Sequence, residues 1–200
     1  MPSPTDLHQG LERWATALHE STHELNALDG RLGDGDLGTT LDKCASNVRE
    51  ALPALPQDFA GIFRSCAAAC AKASGSSFGT LLALAFMTAS KHVSGVERLD
   101  RPALVRLLDA VTTSLGARGG AAFGDKTMLD SIDAIARALE AAPDDAELRT
   151  VAIDAAREAL DTYRSKPNRI GRARMFADKS IGMDDPGMVA VHRMTQSLQA

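Results

Sequence analysis

The chain has 200 residues and a formal net charge of −4, and hydrophobic residues make up 44% of it against 24% charged residues. These values exclude wholesale disorder, and the acidic charge argues against a general nucleic-acid binder. No apolar run approaches the ~18 residues that a membrane span needs, and the N-terminal residues show no basic stretch followed by an apolar one, so we expect a cytoplasmic protein without a secretory signal.

Helical periodicity runs through almost the whole chain, because apolar residues recur at spacings of three, four and seven. The composition agrees: 34 alanines outnumber 8 valines and 6 isoleucines, and alanine favours helices over strands. In chain order, the apolar stripes run over residues 7–25, 41–52, 59–70, 78–86, 104–115, 128–139, 148–160 and 188–198. We therefore predict an all-α fold of eight helices.

The connectors between these helices are of two kinds, which alternate along the chain. Those near Pro53, Gly95 and Pro143 are short and look like plain turns. The other four are rich in glycine, aspartate and small residues. These four rim segments span residues 29–40, 73–80, 116–127 and 163–187. Alternate connectors of an antiparallel up-and-down bundle or barrel lie at the same end, so we predict that they form a site at one rim of a single domain, residues 1–200.

The first rim segment carries three aspartates and four glycines within residues 29–38. Three carboxylates at close range repel one another, and a bound cation removes that repulsion. Oxygen ligands select Mg²⁺ or Ca²⁺, although the spacing of Asp29, Asp34 and Asp36 does not match the EF-hand calcium loop. We interpret the aspartates as ligands of Mg²⁺ that also contacts substrate phosphates, and an acidic, solvated turn is the alternative.

The other rim segments offer groups that bind phosphate. Residues 73–80 combine serine, glycine and threonine at a helix start, where free backbone N–H groups attract anions. The third rim segment nearly matches a Walker A loop, but no strand precedes it. We reject that interpretation and keep Lys126 and Thr127 as anion-binding candidates at a helix start. In the fourth rim segment, Arg172 and Arg174 are candidates for clamping phosphates.

Two further patterns involve residues that bind metals or respond to oxidation. The pentapeptide HESTH at residues 19–23 matches the H-E-x-x-H pattern of zinc hydrolases, which is an alternative function, although no extended third-histidine motif follows it. The three cysteines are odd in number and lack zinc-knuckle spacing, so we expect reduced core thiols. They are Cys44, Cys66 and Cys70.

Four stretches in this order, LDGRLGDGDLGTT, ASGSSFGT, GDKTMLD and GRARMFADKSIGMDDPG, resemble the nucleotide-binding L subunit of dihydroxyacetone kinases. The resemblance runs from about Leu7 to Leu198 and implies a barrel of eight antiparallel helices with the nucleotide at one rim. It implies that two Mg²⁺ ions are held by Asp29, Asp34 and Asp36. The residues that it places around ADP or ATP are Leu37, Gly38, Thr39, Thr40, Ala73, Ser74, Gly119, Met128, Arg172, Asp185, Pro186 and Gly187. Many members of the family have histidine where this chain has Leu37 and Met183.

The resemblance also implies an activity that needs a partner. The chain would be a phosphotransferase subunit of a glycerone kinase in glycerol metabolism, acting on a ketose bound by a separate K-type subunit, with dihydroxyacetone as the default substrate. Two versions stay open at this stage. In one, ATP enters in each cycle; in the other, ADP stays bound and a phosphotransferase-system protein rephosphorylates it. A nucleotide-sensing partner of a transcription factor and a homodimeric assembly also stay open.

Overall fold

Helices dominate the part of the chain that the computed structural model describes, which is residues 2–73 and 77–199. These residues form nine α-helices and no β-strand, so the all-α class is confirmed. In chain order the helices are α1 (Pro4–Glu20), α2 (Thr22–Leu32), α3 (Leu37–Ala51), α4 (Phe59–Ala71), α5 (Ser77–His92), α6 (Arg101–Gly119), α7 (Met128–Ala141), α8 (Leu148–Arg164) and α9 (Pro186–Gln196). Two 3-10 helices, Leu52–Ala54 and Arg172–Ser180, lie in connectors.

The first predicted helix is divided in two at Ser21. The Ser21 hydroxyl donates to the carbonyl oxygen of Ala17 at 2.7 Å, and the Thr22 hydroxyl donates to that of His19 at 2.8 Å. Hydroxyl groups that bond to preceding carbonyls in this way bend helices. Both α1 and α2 still pack against α3 and α9, so the pair occupies the place of the single helix that the sequence predicts.

Acidic side chains cap both α6 and α8. Asp100 caps α6 by accepting the Ala103 N–H at 2.7 Å, with proline in the first turn. Glu147 caps α8 by accepting the Thr150 N–H at 2.6 Å. Asp144, which precedes α8 by four residues, forms an ion pair with Arg101 at 2.5 Å.

The helices form a closed ring. From α3 to α9 each helix packs against the next one in the chain, and α9 packs against both α1 and α2. Three clusters of buried apolar residues follow the ring: one joins α1–α4 with α8 and α9, a second joins α4–α7, and a third joins α6–α9. Within the described residues no helix combines the length and apolar character of a membrane span.

The three cysteines lie buried in the first of these clusters as free thiols, which confirms the sequence interpretation. Burial raises the pKa of the Cys66 thiol to about 12, so this side chain behaves as a small apolar core residue at neutral pH.

Candidate functional site

Three carboxylates come together where α2 gives way to α3. Asp29 lies on the last turn of α2, Asp36 is the N-cap residue of α3, and Asp34 lies between the helices. One carboxylate oxygen of each lies within 4.8 Å of the other two, which is the only such cluster of potential metal ligands among the described residues. A set of hard oxygen donors, half-buried or exposed, fits Mg²⁺.

The backbone of the first rim segment orients Asp29. Its Oδ2 accepts the N–H groups of Asp36 at 2.9 Å and Leu37 at 3.2 Å. Its Oδ1 lies beside Gly33, where a Cβ atom would come within 2.5 Å of it. Gly35 has a φ of +78°, a conformation that favours glycine. The glycines of this segment therefore allow the chain to turn tightly around the Asp29 carboxylate.

Asn26 ties the same two helices together, and the sequence analysis did not identify it. Its Nδ2 donates to the Thr39 hydroxyl at 2.9 Å, and its Oδ1 accepts the Thr39 N–H at 3.0 Å. Asn26 precedes Asp29 by three residues, which places both side chains on one face of α2. That spacing is the signal that could have identified it.

The four residues predicted beside the phosphates form the first turn of α3. Leu37, Gly38 and Thr40 are buried, and Thr39 is exposed. Leu37 packs into the first apolar cluster. Its side chain therefore supplies core contacts.

The second rim segment lies against the first. Ala73 is half-buried, and Ser74 lies outside the described residues. A Cβ atom at Gly79 would be 3.2 Å from the Ala73 carbonyl oxygen and 3.4 Å from the Thr40 methyl group. The start of α5 and the start of α3 are therefore neighbours.

The third rim segment is built around a buried lysine. Lys126 has no exposed surface, and its Nζ donates to the carbonyl oxygens of Lys166 at 2.8 Å and Ser180 at 3.0 Å. The prediction that Lys126 binds an anion is therefore wrong in this structure, because its ammonium group bonds to backbone. Thr127 caps α7 in a capping box with Asp130. Gly119 is the exposed end of α6.

The fourth rim segment reaches the other three. Arg172 forms an ion pair with Asp34 of the metal-ligand cluster, so its guanidinium lies at the carboxylates. A Cβ atom at Gly187 would be 3.4 Å from the Phe78 ring and 3.8 Å from the Met128 Cβ. Pro186 is buried in the first turn of α9. Arg174 is exposed, and Met183 is half-buried. The four segments therefore meet at one end of the ring, as their alternation along the chain predicts.

Burial changes the pKa of two ionisable side chains in this region, Asp185 and Lys126. Burial raises the pKa of the Asp185 carboxyl from 3.8 to about 6, against the opposing effect of hydrogen bonds from the Met188 N–H and Asn168. Burial lowers the pKa of Lys126, and the negative charges of Asp185 and Asp184 partly restore it. Both changes identify a polar interior under the fourth rim segment.

The H-E-x-x-H pattern does not form a zinc site in this structure. The helix is interrupted at Ser21, between the two histidines. His19 Nδ1 lies 2.8 Å from Asp42 Oδ1 in an exposed hydrogen bond. The three-carboxylate cluster, which includes neither histidine, is where a group of metal ligands forms in the described part of the chain.

Comparison with family models gives one match, the DAK2 domain, over residues 31–200. The human protein named "Triokinase/FMN cyclase" is 30% identical over 197 residues, which cover 94% of this chain and 33% of that protein. The ADP-binding subunit DhaL of PEP-dependent dihydroxyacetone kinase 1 from Listeria innocua is 28% identical, covering 88% of this chain and 87% of the subunit.

A solved structure has the same fold. The dihydroxyacetone kinase from C. freundii in complex with AMP-PNP and Mg²⁺ superposes with a TM-score of 0.76 and 26% identity, over 96% of this chain and 33% of that one. The chain thus spans 33% of the human protein and 33% of the C. freundii kinase, but 87% of the Listeria subunit.

Proposed function

This chain belongs to the DAK2 domain family, and on that premise we propose that it is the nucleotide-binding phosphotransferase subunit of a two-component dihydroxyacetone (glycerone) kinase. The observation that carries the proposal is the meeting of Asp29, Asp34 and Asp36 with three further rim segments at one end of the ring. The AMP-PNP and Mg²⁺ complex of a protein with the same fold supports it. The proposed domain is residues 1–200, which the packing of α1 against α3 and α9 supports.

The three aspartates are the proposed ligands of two Mg²⁺ ions. When bound, Mg²⁺ neutralises charge on the nucleotide phosphates and on the transferring phosphoryl group. Asp29 is oriented for this role by two backbone N–H groups, and Asp36 lies at the N-cap of α3, where its side chain makes no capping hydrogen bond. Because the carboxylates and the nucleotide phosphates are all negative and would repel one another without a cation, ion binding and nucleotide binding should depend on each other.

The helix N-termini form the rest of the proposed nucleotide site. The first turn of α3, residues 37–40, presents the positive end of a helix dipole beside the aspartates, which suits phosphate oxygens. Ala73 and Ser74, with Gly119 and Met128, are the proposed contacts from the second and third rim segments. Arg172 and residues 185–187 complete them from the fourth. The described groups position and neutralise phosphates, which is most of what phosphoryl transfer needs from a protein.

The ketose and its binding subunit are proposed to be separate from this chain. The Listeria relative is named as a subunit, and the human relative is about three times as long as the matched region. We therefore propose a K-type subunit as the phosphoryl acceptor's carrier, with dihydroxyacetone as substrate. The Listeria relative is named as the ADP-binding subunit of a PEP-dependent kinase. This name supports the version in which bound ADP is rephosphorylated by a phosphotransferase-system protein.

Magnesium-dependent ADP binding tests the proposal. At a hundredfold excess over Kd, ADP with Mg²⁺ should raise the melting temperature by about 5–10 °C, because a ligand of the native state stabilises it by mass action. Asp34→Ala should abolish this shift, whereas Asp145→Ala, the same change at an exposed aspartate between α7 and α8, should leave it intact. An undiminished shift in Asp34→Ala would refute the metal assignment, and no shift in the wild type would refute the nucleotide site.

A further inference from the structure

The fourth rim segment holds its shape with few regular hydrogen bonds of its own. Between the end of α8 at Arg164 and the start of α9 at Pro186, the described backbone forms only the 3-10 helix Arg172–Ser180, which is kinked at Ala177. Such a segment needs other bonds to keep one conformation, since ordering each residue costs backbone entropy. Those bonds converge on Lys126.

We propose that Lys126 is a positioning residue whose buried ammonium group holds the fourth rim segment closed against the start of α7. The inference rests on the proposed function, because this segment carries Arg172 and Asp185, two of the proposed nucleotide contacts. Lys126 touches neither nucleotide nor metal in this role. It acts through the backbone that it holds.

The ammonium group binds carbonyl oxygens from both ends of the segment. Nζ lies 2.8 Å from the Lys166 oxygen and 3.0 Å from the Ser180 oxygen, with the Arg164 oxygen at 3.5 Å. The Gly182 N–H donates to the same Arg164 oxygen at 2.8 Å. One cation therefore joins backbone positions that are 14 residues apart and closes the segment into a loop.

Asn168 extends this network to α9. Its backbone N–H donates to the Ser180 hydroxyl at 2.8 Å, and its Nδ2 donates to the Lys126 carbonyl oxygen at 2.9 Å and to Asp185 Oδ2 at 2.8 Å. Asp185 in turn caps α9 through the Met188 N–H. The position of the α9 N-terminus is thus coupled to Lys126 through buried hydrogen bonds.

The backbone at Lys126 indicates that its side chain is what the position requires. Its φ is +61°, a left-handed conformation that is unfavourable for a residue with a side chain and that glycine adopts freely. The side chain is also fully buried with its charge, which costs further free energy unless the charge is well bonded. Three carbonyl oxygens, with Asp185 and Asp184 nearby, provide that compensation.

Hydrogen exchange of the full chain tests the positioning role with Lys126→Met, which keeps the length of the side chain and removes the charge. The reporters are the Arg169 and Gly182 amides, which bond to the Asp125 and Arg164 oxygens. Both should lose at least about tenfold of their protection, while amides of α4 keep theirs, because the carbonyls around Nζ lose their donor. The Kd for ADP with Mg²⁺ should rise about tenfold or more. Lys179→Met, the same change at an exposed lysine of the segment, should change neither quantity.

Chemical rescue separates positioning from general stability. Lys126→Ala should weaken ADP binding in the same way and leave a cavity lined by the three carbonyls. Propylammonium, which replaces the lost methylenes and the ammonium group, should restore at least half of the affinity. Tetramethylammonium, a cation without N–H donors, should not. If Lys126→Met failed to fold, Lys126→Ala with these two cations would decide the question.

Two results would overturn the inference. One is unchanged protection of Arg169 and Gly182, together with unchanged ADP affinity, in Lys126→Met. The other is equal rescue by both cations. Failure of the wild type to bind ADP with Mg²⁺ would instead refute the proposed function and the nucleotide half of the inference, and the exchange pattern would still decide whether Lys126 holds the segment.

Discussion

Asp185 shows how two opposing effects set the protonation of a single carboxyl group. As the N-cap of α9 it accepts the Met188 N–H at 2.9 Å, and it accepts a second bond from Asn168 at 2.8 Å. Both bonds favour the charged form. Burial disfavours charge more strongly, and the pKa rises from 3.8 to about 6. The native state therefore binds a proton that the unfolded chain releases between about pH 4 and 6.

A pH dependence follows for Asp185→Asn. Because the native pKa is raised, the contribution of Asp185 to stability falls as pH rises through this window. The variant carries no titrating group at position 185. The free energy of unfolding of the wild type, relative to that of Asp185→Asn, should therefore decrease by up to about 3 kcal/mol between pH 4 and pH 7. Urea unfolding of both proteins at the two pH values measures it. A relative stability of the wild type that increases with pH would contradict the raised pKa.

Single residues differed in how far their sequence positions revealed their roles. Asp29, Asp34 and Asp36 lie within eight residues of one another, so local spacing was enough to predict that they cluster. Lys126 also lies next to a glycine-rich stretch, yet its hydrogen-bond partners lie 38 to 54 residues further along the chain. Nothing local distinguishes a lysine aimed at phosphate from one aimed at distant carbonyls, so its role required the fold.

Gly38 decides how closely α2 and α3 approach each other. A Cβ atom there would overlap the Thr22 carbonyl oxygen and would lie 2.9 Å from Asn26 Oδ1. The first turn of α3 can therefore sit against α2 only without a side chain at this position. The same contact holds Asp29 on one helix near Asp36 on the other.

Gly38→Ala should therefore disturb stability and ion binding together. We expect a loss of about 1–3 kcal/mol in the free energy of unfolding, as for overpacked cores, and a weaker Mg²⁺-dependent response to ADP because the aspartates separate. Denaturant unfolding and calorimetric titration measure the two effects. Gly10→Ala on α1, where the nearest atom is 4.0 Å from the added Cβ, should be neutral or stabilising by up to about 1 kcal/mol. A Gly38→Ala protein as stable as Gly10→Ala would contradict the close packing.

Helices were predictable from period alone, whereas their ends were not. Seven of the eight predicted apolar stripes lie within one α-helix each, to within two residues, and the first spans both α1 and α2, because burying one face is what stabilises a helix in a ring. The break at Ser21 depends on hydroxyl groups bonding to preceding carbonyls, a choice that the pattern of apolar residues does not record. The residue that caps α8 is Glu147, directly before the helix, while Asp144 pairs with Arg101, 43 residues away. The apolar pattern records neither of these polar contacts.

The ring explains how a site is assembled from segments that are far apart in the sequence. Alternate connectors meet at one end whenever successive helices pack side by side, and the break at Ser21 does not change this alternation because α1 and α2 share neighbours. The Arg172–Asp34 ion pair joins the first and fourth rim segments across more than 130 residues. The rim was therefore predictable from connector composition, but the contacts within it were not.

The same module occurs in relatives of two lengths, which bears on what the chain can do alone. It spans 87% of a protein named as a subunit and about a third of longer kinases. Two thirds of those longer proteins have no counterpart in these 200 residues. Phosphoryl transfer needs an acceptor held in line with the nucleotide, and positioning supplies much of the rate. We therefore expect the acceptor to be held by residues outside these 200.

Reconstitution checks this expectation. The isolated chain, supplied with Mg²⁺, ATP and dihydroxyacetone, should form no ketose phosphate beyond the level of buffer, and adding a ketose-binding K-type subunit should start turnover. Asp34→Ala should reduce that turnover at least about 100-fold, because losing a metal ligand costs more than losing its supporting contacts, while Asp145→Ala should leave it unchanged.

Sustained phosphorylation by the chain alone would contradict the two-component proposal. If turnover requires a phosphotransferase-system donor in place of ATP, the version with permanently bound ADP is the correct one, because only in that version is ADP phosphorylated without leaving the protein. Capture of a transcription factor, with no turnover under either donor, would favour a nucleotide-sensing regulator that uses the same rim.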